Sequence, residues 1–220
     1  MVTALESKAQ LTLLGDDAED TVRWMLRRSS GRWESRRVQL LDTVPDVLGF
    51  YSEGSAALAV DFYDDARAGV AGRFSAAPVV LDRTVKIRRG VVWASEPLSV
   101  DDDELAAARF AQLMRSEMAR PYRDTVLSNR QRDPQAVGWT RITRGSASCK
   151  FCRMLAGAVY REATVRFAAH DDCMCTAAPV FKGGELGPEA STVQYMASKR
   201  RRSPRERAFL RDYLEGNYPD

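Results

Sequence analysis

Histidine is nearly absent from this chain of 220 residues: only His170 stands beside 33 lysines and arginines and 30 aspartates and glutamates. With one imidazole, most general acid–base schemes are closed, and any Ser-His-Asp arrangement would have to recruit a histidine crowded among cysteines. The sequence contains no G-x-S-x-G and no Walker A lysine loop. No apolar run is long enough to span a bilayer; a stretch such as Ala76-Ala77-Pro78-Val79-Val80-Leu81 falls far short. The opening Met-Val-Thr-Ala-Leu-Glu-Ser-Lys lacks the basic start and apolar stretch of a secretory signal. The expectation is therefore a protein made and first kept in a cytoplasm, with no membrane partner and no small-molecule substrate. Lysine is scarce too (Lys8, Lys86, Lys150, Lys182 and Lys199), and arginine supplies nearly all other positive charge. Together with abundant alanine, this points to a coding genome rich in G and C, a statement about codons only.

What is present suits a globular chain: 45% hydrophobic and 29% charged residues, enough for one domain or a core with a helical arm. A net charge of +3 is too mild to argue for nucleic acid by itself. The four cysteines and the lone histidine all fall between positions 149 and 175. In a cytoplasmic chain such clustering points to a metal site or redox motif before a disulfide framework.

The first half carries helical periodicity. Val22, Met25 and Leu26 share a face, and Arg27-Arg28 suit a helix C-terminus before Gly31. A second stretch holds Val38, Leu41, Val44 and Val47-Leu48, with Pro45 as a boundary or first-turn residue. A third, from about 53 to 68, aligns Ala56, Ala59, Val60, Phe62, Tyr63 and Ala66. Thr84 to Trp93 alternates like a strand. Asp101-Asp102-Asp103-Glu104 then opens a long helix whose Ala107, Phe110, Ala111, Met114 and Met118 form a core stripe. Pro121 is expected to kink or end it, with more helix to about Ser128. Residues 129–138 have linker composition. Beyond them, Trp139–Thr143, Val159-Tyr160, Val165–Phe167 and Thr176–Phe181 read as short strands, Arg153–Ala156 as a short helix, and the segment from about 188 as helix again.

The cysteine pattern is Cys149-x2-Cys152, then His170-x2-Cys173-x-Cys175. A C-x2-C turn places two sulfurs on one side of a tetrahedral zinc site, and the second group supplies the remaining donors. Five donors compete for four places. In a segment too small for its own core, a metal can replace packing. Metal-free buried thiols and a disulfide stay open as alternatives. Enzyme readings fit poorly. A zinc deaminase needs His-x-Glu upstream of Pro-Cys-x-x-Cys, whereas Ser148 precedes Cys149 and the histidine follows the pair. A thioredoxin-like motif needs a βαβ context that the flanks lack.

Three stretches together are similar to the MuF-like domain of minor head proteins of tailed bacteriophages: Gly138-Trp139-Thr140-Arg141, Cys149-Lys150-Phe151-Cys152-Arg153-Met154-Leu155-Ala156-Gly157, and His170-Asp171-Asp172-Cys173-Met174-Cys175-Thr176-Ala177-Ala178-Pro179-Val180-Phe181. Phe167-Ala168-Ala169-His170 resembles the version carried by phages of actinobacteria, and Phe62-Tyr63-Asp64-Asp65-Ala66-Arg67 resembles that family's aromatic-Tyr-Asp-x-x-Arg segment. The family commonly has Pro after the histidine and Arg between the last cysteines; Asp171 and Met174 stand there instead. The resemblance implies a few-copy virion component near the portal vertex, present in the host cytoplasm before assembly and acting in head assembly, DNA packaging or ejection. Some relatives in that family are fused to a capsid maturation protease or a toxin domain; this chain has no room for either and no protease signature, so the stand-alone form is expected.

The basic tail adds Lys199, Arg200, Arg201, Arg202, Arg205 and Arg207, candidates for contact with double-stranded DNA or with acidic groups of a portal protein, against a solvated helix face countered by Glu206, Asp212 and Glu215. The expected architecture is α+β: a helical region over 1–130, a knuckle core over 138–187 and a basic helical tail over 188–220. The expected role is structural and not enzymatic, with zinc held by four of Cys149, Cys152, His170, Cys173 and Cys175. The competing reading is a small zinc-knuckle regulator that binds nucleic acid.

Overall fold

The computed structural model describes residues 2–143, 148–162, 166–170, 173–184, 186–199 and 201–218. Thr3 and Glu6 open helix α1 (Ala4–Arg28) with a reciprocal cap: the Thr3 hydroxyl accepts the Glu6 N–H at 3.2 Å, and the Glu6 carboxylate accepts the Thr3 N–H at 2.8 Å. Arg27 and Arg28 lie in its last turn, as their position near the negative end of the helix dipole suggests.

Helix α2 (Trp33–Ala66) joins the second and third expected helical stretches into one element, so Pro45 is no boundary but lies inside it. Proline removes the N–H that would bond the Leu41 carbonyl four residues earlier. The Arg88 guanidinium supplies the missing donor, with Nη1 at 3.0 Å from that oxygen. Leu40, Val44, Leu48, Tyr51, Ser55, Ala59 and Phe62 form its buried stripe, whereas Val38, expected on it, is exposed.

Thr84 to Trp93, expected as a strand, is helical: α3 spans Thr84–Ser95 and passes into a 3-10 turn at Glu96–Val100. Its buried residues Ile87, Val91 and Ala94 follow helical spacing, while Val85, Val92 and Trp93 face outward. The β-branched residues invite an extended reading, but packing against α2 and α4 decides.

Helix α4 (Asp103–Arg132) opens with the Asp102 carboxylate accepting the Leu105 N–H at 2.9 Å. It continues through Pro121, which therefore does not end it. In the turn before that proline the Ser55 hydroxyl donates to the Met118 carbonyl at 2.6 Å, fastening α4 to α2. The expected linker at 129–138 shrinks to a turn at 133–135, because Asn129 to Arg132 belong to α4 and Ala136 opens strand β1.

The strands are β1 (Ala136–Ile142), β2 (Val159–Tyr160) and β3 (Thr176–Phe181), antiparallel in the order β2-β1-β3. Gly138 sits where β1 meets β2: a Cβ there would lie 2.6 Å from Val159 Cγ1 and 3.0 Å from the Tyr160 carbonyl oxygen. Pro179 is tolerated because β3 is an edge strand. Arg166 and Phe167 are not in a strand, contrary to expectation, and Val165 lies outside the described residues. The short helix α5 spans Lys150–Leu155. Two further helices follow β3, α6 (Thr192–Ala197) and α7 (Pro204–Asn217), each with a Ser-x-x-Gln or Ser-x-x-Glu cap.

Two apolar cores result. One joins Val22, Val44, Val91, Phe110, Met114 and Met118 of α1, α2, α3 and α4, so the Phe and Met stripe of α4 is core as read. The other gathers Leu11, Phe62, Tyr63, Tyr122, Trp139 and Leu210, drawing on α1, α2, α4, the sheet and the tail. The fold is α+β, mainly helical, with the sheet laid against the second halves of α2 and α4.

Candidate metal centre

Two separate backbone arrangements bring the four sulfurs into two adjoining clusters, and His170 joins the outer one. Cys149 is the N-cap of α5, its Sγ accepting the Cys152 N–H at 3.4 Å, so the helical turn carries both sulfurs to the same side. Cys173 and Cys175 flank Met174 in the three residues that lead into β3, all three of them buried. The Met174 methyl lies beside Gly15 of α1.

The donors form two triads that share Cys152. In the outer triad of Cys149, Cys152 and His170, and in the inner triad of Cys152, Cys173 and Cys175, the ligand atoms lie within 4.8 Å of one another. His170 Nε2 is 2.9 Å from Cys149 Sγ and 3.5 Å from Cys152 Sγ, and Cys152 Sγ is 3.6 Å from Cys173 Sγ. Zinc–ligand bonds of 2.0–2.3 Å imply edges of about 3.5 Å between N and S and about 3.8 Å between sulfurs. The two contacts of Cys152 match those edges. Cys149 and His170 are exposed; Cys152, Cys173 and Cys175 are buried. All four cysteines are free thiols, so no disulfide links them. Hydrogen bonds from Cys152 and Cys175, aided by the nearby Arg123, hold the Cys173 thiol far below its usual range against the opposing effect of burial. The same contact, the contact with Cys175 and burial push the Cys152 thiol up.

Two buried arginines adjoin the thiols. Arg123 of α4 is 5% exposed and Arg141 of β1 3% exposed. Arg123 donates to the carbonyls of Ala119 (2.8 Å) and Cys173 (3.1 Å). Arg141 reaches Cys152 Sγ at 3.8 Å and donates to the Ala168 carbonyl. Their guanidinium carbons lie 5.0 Å and 3.8 Å from the Phe167 ring centroid, and that ring stacks on Trp139. Phe167 is thereby fixed three residues before His170. Sequence reasoning gave neither arginine a role. The available signal was a cation at an inward position: Arg141 is two residues from the buried Trp139, and Arg123 lies between buried Tyr122 and Val126.

The tail cations divide. Lys199 and Arg202 line a groove of about 630 Å³ beside the centre, together with Arg120, Arg166 and Asp124. Lys199 also pairs with Glu206 at 2.9 Å, and Arg202 lies over the Phe151 ring at 5.6 Å. Arg207 donates to the Arg202 carbonyl; Arg201 and Arg205 are exposed and do not line the groove. Arg200 and Asp171 lie outside the described residues. No helix among the described residues is long and apolar enough to cross a membrane.

A helical α+β chain with a Cys/His cluster suited to a metal ion is the class that this fold and site define. The chain belongs to the VG15 protein family, a family of phage gene products, whose sequence profile matches residues 2–199. No curated protein and no solved structure matches it.

Proposed function

We propose that this phage protein is a minor head protein of the MuF-like kind, a non-enzymatic virion component near the portal vertex that aids head assembly, DNA packaging or genome ejection. The supporting observation is the meeting of the two motif halves on which the resemblance rests: Cys149 and Cys152 from α5 converge with His170, Cys173 and Cys175. In this reading zinc fills the centre and ties α5 to the chain entering β3, a structural task for which a closed four-ligand site is suited. The groove of Arg120, Arg166, Lys199 and Arg202 then meets phosphates of DNA or carboxylates of the portal.

The test is composition of purified phage heads. The chain is expected in DNA-filled heads in few copies, and purified portal oligomers are expected to retain it, less so after Arg166→Glu with Arg202→Glu. A chain missing from heads and portals that instead binds a DNA sequence selectively overturns the proposal in favour of a zinc-knuckle regulator.

A further inference from the structure

We infer that Arg123 and Arg141 are the built-in counter-charge of the metal centre, so that they govern how tightly it holds a divalent ion. This rests on the metal reading above and extends it to two residues outside the donor set.

The charge of the centre follows without knowing which donors bind. Any four of Cys149, Cys152, His170, Cys173 and Cys175 include at least three cysteines. Three thiolates on a divalent ion leave one net negative charge, and four leave two. Such an anion among buried sulfurs needs compensation, because an uncompensated buried charge is strongly unfavourable. The two guanidiniums are also buried. Among the described residues neither has a carboxylate at ion-pair distance; the charge of the neighbouring Asp124 reaches Arg123, but its contact is with Arg120 at 3.5 Å. Their hydrogen bonds go to carbonyl oxygens and to Cys152 Sγ. Arg141 Nε is buried with no partner among the described residues. Each half of the arrangement thus lacks what the other holds: the cations need negative charge, and the sulfur-rich ion complex needs positive charge.

Position adds a second effect. Both cations hold the Phe167 ring, and Arg141 also holds the Ala168 carbonyl, which fixes the strand of chain that delivers His170. Charge and placement are separable by substitution. Lysine retains charge but loses the planar fork, glutamine retains hydrogen bonding without charge, and methionine retains only length.

The experiment uses the full chain with cobalt(II), read by sulfur-to-cobalt charge-transfer absorption, and zinc affinity by chelator competition, with near-ultraviolet circular dichroism as the folding control. Arg141→Met and Arg123→Met are each expected to weaken zinc at least tenfold. Lysine variants should lose clearly less than the corresponding glutamine variants. Where a methionine variant does not fold, the lysine–glutamine comparison decides. Glutamine variants that bind as tightly as wild type overturn the inference while leaving the metal centre intact. A folded wild type that takes up neither cobalt nor zinc overturns the metal reading itself, and this inference with it.

Discussion

Arg67, the last residue of the Tyr63–Arg67 segment, grips Asp133 in a buried pair: Nε lies 2.7 Å from Oδ2, with the two side chains 8% and 0% exposed. Tyr63, one turn earlier on the same helix face, brings its hydroxyl to the same carboxylate at 3.5 Å. The contact closes the end of α2 onto the turn after α4, immediately before β1. Arg67 also donates to the Gly72 carbonyl at 2.9 Å, so one guanidinium sets the exit of two helices. Removing one partner leaves the other charge buried, and Arg67→Met or Asp133→Asn is expected to cost about 3–5 kcal/mol. Chemical denaturation of each variant checks the figure; a loss below about 1 kcal/mol would show that the pair is solvated in solution.

Glu117 joins α4 to the start of α3 through Arg83, with contacts at 2.5 and 3.0 Å, and Lys86 at 3.2 Å. Burial raises its pKa, but the hydrogen bonds and charges of Arg83 and Lys86 outweigh that, leaving the carboxyl below its usual value of 4.5. A group depressed on folding stabilises the native state above its unfolded pKa, and that contribution is lost as pH falls through the folded value. The stability gap between wild type and Glu117→Gln, about 1–3 kcal/mol, should be constant above about pH 5.5 and shrink below the usual 4.5. Urea midpoints from pH 3 to 7 (about five points) measure it.

The Arg88 bond to the carbonyl left open by Pro45 makes a testable pair. Arg88→Met should cost about 0.5–1.5 kcal/mol. In a Pro45→Ala background, where the helix supplies its own donor, the same change should cost almost nothing. A double-mutant cycle with no coupling would mean that water serves that oxygen instead.

Gly138→Ala places a methyl against Val159 and, less forgivingly, the Tyr160 backbone oxygen. Overpacking of this kind costs about 1–3 kcal/mol. Hydrogen exchange should locate the loss in β1 and β2 and spare α1 to α4.

Cys152 belongs to both donor triads, so Cys152→Ser is expected to abolish metal binding, whereas Cys175→Ser should act through the inner triad alone. Elemental analysis of the chain purified under reducing conditions without chelator should give about one zinc per chain, and a chelator should lower the melting temperature. Four titratable thiols with no metal and an unchanged melting temperature would favour plain buried cysteines.

Legibility in the sequence followed the physics of each segment. The donor cluster was readable because cysteine and histidine occur nowhere else in the chain, and β3 because Thr176–Phe181 is short, apolar and bounded. Helix α4 was readable from its acidic start and its Phe and Met spacing. The helix at Thr84–Ser95 was not, since Val85, Ile87 and Val91-Val92 carry local strand propensity that only packing against α2 and α4 overrides. Nor was the continuity of α2, because the donor that makes Pro45 tolerable comes from Arg88, remote along the chain.

The sequence by itself determined which residues can bind a metal, the Phe and Met core stripe of α4, and that the chain is α+β. Tertiary structure alone decided which arginines lie buried beside the thiols. Dozens of cations look alike in the sequence, and only the packing of α4 and β1 around the thiols buries Arg123 and Arg141, where charge can no longer be screened by water.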